Sequence, residues 1–84
     1  MSRYYLHLRD GTTEALDPEG AEYETMDKLK SAVLLAVREL LRIDVQKGVI
    51  NFRFRVDAED GRGAIVYSLP FDQAVTIIPP GAPH

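Results

Sequence analysis

His7 is the one histidine inside this chain, the other being the last residue, His84, and there is no cysteine. The chemistry open to His7 is proton transfer or metal ligation, and either needs carboxylates within reach. Asp10, Asp17 and Glu19 are the nearest candidates. One histidine with scattered carboxylates lacks the spacing of a metal site, and the missing cysteines remove thiolate catalysis and cysteine-built zinc sites. A hydrogen bond from His7 to the loop near Asp17 is the simpler expectation. Asp17-Pro18-Glu19-Gly20 lacks the repeated oxygen ligands and closing glutamate of an EF-hand loop. The sequence predicts a turn there, which Asp17 caps, Pro18 pre-sets and Gly20 completes at positive φ. Ser31 and Ser68 have no base at hand and no nucleophile-elbow pattern around them. Gly61-Arg62-Gly63 is too short for a phosphate loop and does not lead into a helix. No catalytic residue, cofactor or metal is expected, and an enzyme is not.

The residues from Arg3 to Gly11 alternate as a strand does, with Tyr4, Leu6 and Leu8 on one face and Tyr5, His7 and Arg9 on the other. Arg53 and Arg55 alternate in a later segment. Together Tyr5, His7, Arg9, Arg53 and Arg55 form a candidate binding face, basic and aromatic, of the kind RNA-binding sheets use to stack bases and hold phosphates. The bland alternative is arginines facing water beside cross-strand acidic partners. A net charge of −3 also opposes general nucleic-acid binding.

These residues need elements to position them. The first strand runs from Arg3 to Arg9 and ends at the Asp10-Gly11 turn; a second lies within Thr12 to Leu16, followed by a loop from Asp17 to Glu24. Thr25 is suited to cap a helix from Met26 to about Val45, ending before Gly48, with Asp27 favourably placed in its first turn. A third strand, Asn51 to Asp57, turns Phe52, Phe54 and Val56 inward and Arg53 and Arg55 outward. After a polar turn from Ala58 to Gly63, a fourth strand from Ala64 to Leu69 alternates Ile65, Tyr67 and Leu69, and Leu69-Pro70-Phe71 ends it. Asp72 to Ile78 fits a short helical turn or a strand. The expected fold is α+β, a two-layer β-β-α-β-β sandwich with one long helix on a four-stranded, mostly antiparallel sheet in the order second, first, third, fourth. With 84 residues this is one small domain, 1–78, with a Pro-rich disordered tail, 79–84.

The helix carries more apolar surface than one sheet needs. Its stripe, centred on Leu29, Val33, Ala36, Val37 and Leu40, spans roughly 200° once Leu34, Leu41 and Val45 are added, against a little over ~100° for a helix on one sheet. Leu34, Leu41 and Val45 are therefore candidate contacts of a homodimer, unless Val75 to Ile78 folds back over them.

The opening Arg3-Tyr4-Tyr5-Leu6-His7-Leu8-Arg9-Asp10-Gly11, the Asp17 to Gly20 turn, the Ala/Leu-rich helix, the Glu59 to Gly61 turn and the Leu69 to Phe71 exit give the chain a resemblance. It resembles a family of small uncharacterised bacterial proteins, frequent in alphaproteobacteria and classed as a domain of unknown function. That resemblance covers all but the Pro-rich tail, and it implies a compact α+β domain and nothing catalytic. At the level of fold alone, the order hairpin-helix-strand is similar to antitoxin domains of the HicB type, which bind a small toxin. The DNA-binding segment of such proteins has no counterpart here.

The longest apolar run, Ala32 to Val37, is far too short to span a membrane, and Met1-Ser2-Arg3 leads straight into a polar-alternating strand, so a cytoplasmic protein is expected. A protein-interaction or self-association module, most simply a homodimer, ranks first among functions. A small nucleic-acid-binding or antitoxin-like regulator using the Tyr5/His7/Arg9/Arg53/Arg55 face is the alternative.

Overall fold

Six regular elements build the chain in the computed structural model, which describes residues 2–81 and 83. They are β1 (Ser2–Arg9), β2 (Glu14–Ala15), β3 (Ala21–Tyr23), α1 (Met26–Lys47), β4 (Arg55–Glu59) and β5 (Ile65–Pro70), followed by a single 3₁₀ turn, Phe71–Gln73. The strands form one antiparallel sheet in the order β2-β1-β4-β5, with β3 also paired to β1. This is the expected α+β architecture and strand order with one strand more.

The second strand is there as expected, shortened to Glu14–Ala15, and the extra strand, Ala21–Tyr23, falls within the stretch expected as the Asp17 to Glu24 loop. Ala15 and Glu14 lie opposite Leu8 and Arg9, and Ala21 to Tyr23 lie opposite Tyr4 to Ser2, so Leu16 to Gly20 bulges out between the two pieces. Pro18 cannot donate to a ladder, and Gly20 sits at φ +66°, so the backbone leaves the strand there. The Asp17 carboxylate fills the resulting gap: Leu6 N–H donates to its Oδ2 at 3.3 Å.

Thr25 Oγ1 accepts the Lys28 N–H at 3.1 Å and starts α1; Gly48, at φ +83°, donates to the carbonyls of Asp44 and Val45 and ends it. The buried row of the helix is Leu29, Val33, Val37 and Leu41, four residues apart. It packs on Val56, Ala58, Leu69, Phe71 and Ala74, with Tyr4, Leu6, Leu8, Phe54 and Tyr67 around them. After β5 the chain turns onto the helix side: Phe71 N–H donates to Phe54 O at 3.0 Å, and Arg38 Nε to Ala74 O at 3.0 Å. This return covers the C-terminal half of α1.

Three expected placements are corrected. β4 starts at Arg55, not Asn51, because the Asn51 side chain takes the Arg53 N–H at 3.0 Å and holds a turn, which leaves Phe52 39% exposed and Arg53 outside the sheet. Ile65 is 54% exposed rather than in the core. A bulge steps the pairing from Ala58↔Tyr67 to Glu59↔Ile65 and takes Ile65 off the helix-facing side. Leu41, expected at an uncovered edge, is core at 6% exposure because the 3₁₀ turn and Ala74 close over that flank. Of the tail expected at 79–84, Ala82 and His84 lie outside the described residues.

Candidate functional site

The sheet face turned away from α1 gathers most of the polar residues that could do chemistry. Alternation on β1 sends Tyr5, His7 and Arg9 to this face, and the same alternation on β4 sends Arg55, Asp57 and Glu59. The register sets Tyr5 opposite Glu59, His7 opposite Asp57 and Arg9 opposite Arg55, with Ser68 of β5 across from Asp57. Four of the five residues of the expected basic-aromatic face are thus brought together. Arg53 is not among them, since it lies exposed in the turn before β4.

Asp57 is the centre of this face and is fully buried. Its carboxylate accepts from the Ser68 hydroxyl at 2.6 Å, from Arg9 Nη1 at 3.1 Å, and from Arg55 Nε at 3.1 and 3.2 Å. Burial pushes its acidity down, yet the Ser68 hydroxyl and the two guanidiniums outweigh burial and hold the carboxyl below the usual carboxylate range. Arg9 bridges Glu14, Glu59 and Asp57, and these three carboxylates raise its guanidinium above its ordinary value. Two like charges opposite each other, Arg9 and Arg55, are destabilising on their own. Here they are tied together through Asp57.

His7 is buried under the same network. Its Nδ1 accepts the backbone N–H of Asp17 at 3.0 Å, so the ring proton of the neutral imidazole belongs on Nε2, which lies 3.5 Å from Glu59 Oε1. The Tyr5 ring stacks on it, with centroids 6.3 Å apart and planes 14° from parallel. The expected bond from His7 to the loop at Asp17 is therefore present. Asp17 also caps its turn as expected, accepting from Glu19 N–H at 3.3 Å and Gly20 N–H at 3.1 Å. Those bonds and the one from Leu6 overcome burial and keep the Asp17 carboxyl below its ordinary range.

Chemically this cluster is saturated. The Asp57 carboxylate has its lone pairs engaged by three donors, which makes it a poor base. What the arrangement does is tie β1, β4, β5 and the Leu16–Gly20 bulge into one unit. An open hollow of about 250 Å³ lies at its end, lined by Arg9, Gly11, Thr12, Thr13, Glu14 and Arg55. The sequence reading missed Asp57, Glu59 and Ser68 as members of the face. The signal was there: Arg55-Val56-Asp57-Ala58-Glu59 alternates charged and apolar residues without a break.

The candidate contacts on the helix separate. Leu41 is core, Leu34 is half-buried against it, and Val45 is 62% exposed. Val45 belongs to a larger apolar end of the molecule. Arg55 and Pro70 are paired, so the loop entering β4 and the segment leaving β5 meet at one end of the sheet. Lys30 lies over the Tyr67 ring and Arg38 bonds to Ala74, so α1 runs in the same sense as β5 and brings its C-terminus to that end. Val45, Val49, Ile50 and Phe52, from the last turn of α1 and the loop into β4, are four of the twelve large apolar side chains left exposed among the described residues.

A family model described as a domain of unknown function, DUF6894, matches residues 3–72. The chain belongs to the DUF6894 family. The matched span holds every strand pair, the helix and the whole polar face, and stops short of Val75 to Ile78. No curated protein and no solved structure matches the chain. Among the described residues no helix is long and apolar enough to cross a membrane.

Proposed function

We infer that this domain is a non-catalytic, cytoplasmic protein-interaction module that acts first by self-association, with its apolar end as the contact surface. The observation that carries this reading is that Val45, Val49, Ile50 and Phe52, four of the twelve large apolar side chains exposed among the described residues, follow one another at that end. Scattered single exposures are ordinary, whereas a contiguous patch marks a surface that meets another protein. Nucleic-acid binding draws less support, because Asp57, Glu59 and Glu14 already occupy the arginines a phosphate would need.

Sedimentation velocity over a concentration series, with RNA and DNA titrated at low and moderate salt, tests this reading. The expected result is a dimer at tens of micromolar and no salt-dependent nucleic-acid binding. A monomer throughout that binds RNA steeply with falling salt would overturn it.

A further inference from the structure

β5 is the sheet's exposed edge, paired on one side only, to β4, among the described residues. Its six residues, Ile65-Val66-Tyr67-Ser68-Leu69-Pro70, carry no charge. The opposite edge differs: it is broken between β2 and β3 and carries Glu14 and Glu22. Broken, charged edges are among the ways native sheets avoid pairing with other chains, and β5 lacks the charges. The bulge at Val66, which has no partner on β4, and the proline at the other end leave a short regular run, Tyr67 to Leu69, open to a partner strand.

We propose that a second copy of this chain docks on β5, antiparallel and twofold-related, joining two sheets into one. This rests on the self-association reading above and names its seam. Three features of β5 are self-complementary under that symmetry. Antiparallel pairing of an uncharged strand with itself opposes no like charges. It brings the start of one β5, where Ile65 is 54% and Val66 37% exposed, beside the end of the other, where exposed Val75 follows. It also brings Arg62, exposed just ahead of the strand, toward Asp72, exposed just behind it. A three-residue seam alone buries too little for a stable dimer, which takes on the order of 1,200 Å² in total. The exposed apolar residues at both ends of β5, Ile65 and Val66 at its start and Val75 after it, supply the additional area.

The test is sedimentation of wild type, Val66→Lys and Val49→Lys, with circular dichroism to confirm folding. Wild type is expected to be dimeric at tens of micromolar. Val66→Lys, an edge lysine, is expected to weaken the dimer by roughly tenfold or more, and Val49→Lys, in the loop after α1, to weaken it less. An intact Val66→Lys dimer overturns the seam, and if Val49→Lys breaks the dimer the apolar-end reading stands without it. A monomeric wild type overturns both. Should Val66→Lys misfold, hydrogen exchange of the wild type decides: β5 amides whose protection rises with protein concentration support the seam, and concentration-independent protection overturns it.

Discussion

The imidazole of His7 accepts the backbone N–H of Asp17 through Nδ1 at 3.0 Å, while the Asp17 carboxylate accepts the backbone N–H of Leu6, the residue before His7. Each residue thus satisfies main-chain groups that a continuous strand would have paired. The exchange lets β1 keep its bonds across a five-residue bulge, Leu16 to Gly20, in the neighbouring strand.

His7→Phe keeps a ring beside Tyr5 and removes the acceptor. The Asp17 N–H is then left part-buried and unpaired, which costs about 1–3 kcal/mol. Urea unfolding should show that loss, and the Asp17 amide should exchange faster than in wild type. A loss below about half a kcal/mol would mean the freed N–H finds water at no cost.

Gly20 closes the same bulge. A Cβ there would stand 2.7 Å from the Tyr4 carbonyl oxygen, and the φ of +66° is one that side chains rarely adopt. The Tyr5 ring, also within 3 Å, can swing aside, but the Tyr4 backbone is pinned by the sheet. Gly20→Ala should therefore lose more than about 1 kcal/mol, and Gly20→Val more still. Gly11→Ala is the control, since Gly11 also has positive φ but nothing within 4 Å of its Cβ position. Equal losses at the two positions would show that backbone strain alone sets the cost.

Local signals made the fold largely legible. Thr25 and Gly48 bound the helix by chemistry confined to a few residues, and the Asp10 and Asp60 turns are held by each aspartate's own bonds to the next few N–H groups. The bounds of β4 were not legible in the same way. Asn51 and Phe52 alternate well enough for a strand, and only the Asn51 side-chain bond to Arg53 N–H ends the pattern. That shift put Glu59 in the expected turn and left Asp57 as the last residue of the expected strand, turning a balanced ion network into an apparently basic face. Ile65 left the core through a bulge, which depends on pairing between strands and leaves no mark on one strand's alternation. Leu41 was placed at an edge because the covering residues, Phe71 and Ala74, come from thirty and more residues away.

Leu41 and Leu40 should now differ on truncation. Leu41 is core and Leu40 half-buried, so Leu41→Ala should cost about 2–5 kcal/mol and Leu40→Ala clearly less. Chemical denaturation of the two variants compares them directly. Leu41→Glu would bury a charge and unfold the chain, so helix-face charge substitutions at that position read the core and not association. A larger loss at Leu40 would place the helix one residue of rotation away from the packing described.

Acid stability should depend on Asp57. Its carboxyl is held below the unfolded-state value, which is about 3.9 for aspartate. A depressed native pKa means the unfolded chain takes up the proton first. The Asp57 contribution is therefore fully present above that unfolded value and is lost as pH falls through the native one. Asp57→Asn removes the titration and leaves Arg9 and Arg55 facing a neutral amide. Breaking a buried ion cluster from one side costs about 3–5 kcal/mol, and the lower end applies because Arg9 keeps Glu14 and Glu59. The variant should be less stable than wild type at neutral pH, and the gap should narrow on acidification, because only the wild type loses the Asp57 contribution while Asp10, Asp17 and Asp60 titrate in both proteins and cancel. Thermal unfolding of the two proteins across acidic and neutral buffers measures that gap. A gap of constant size down to strongly acidic pH would show that Asp57 is held by shape and by the Ser68 hydroxyl, with the two guanidiniums adding nothing to the stability of the sheet.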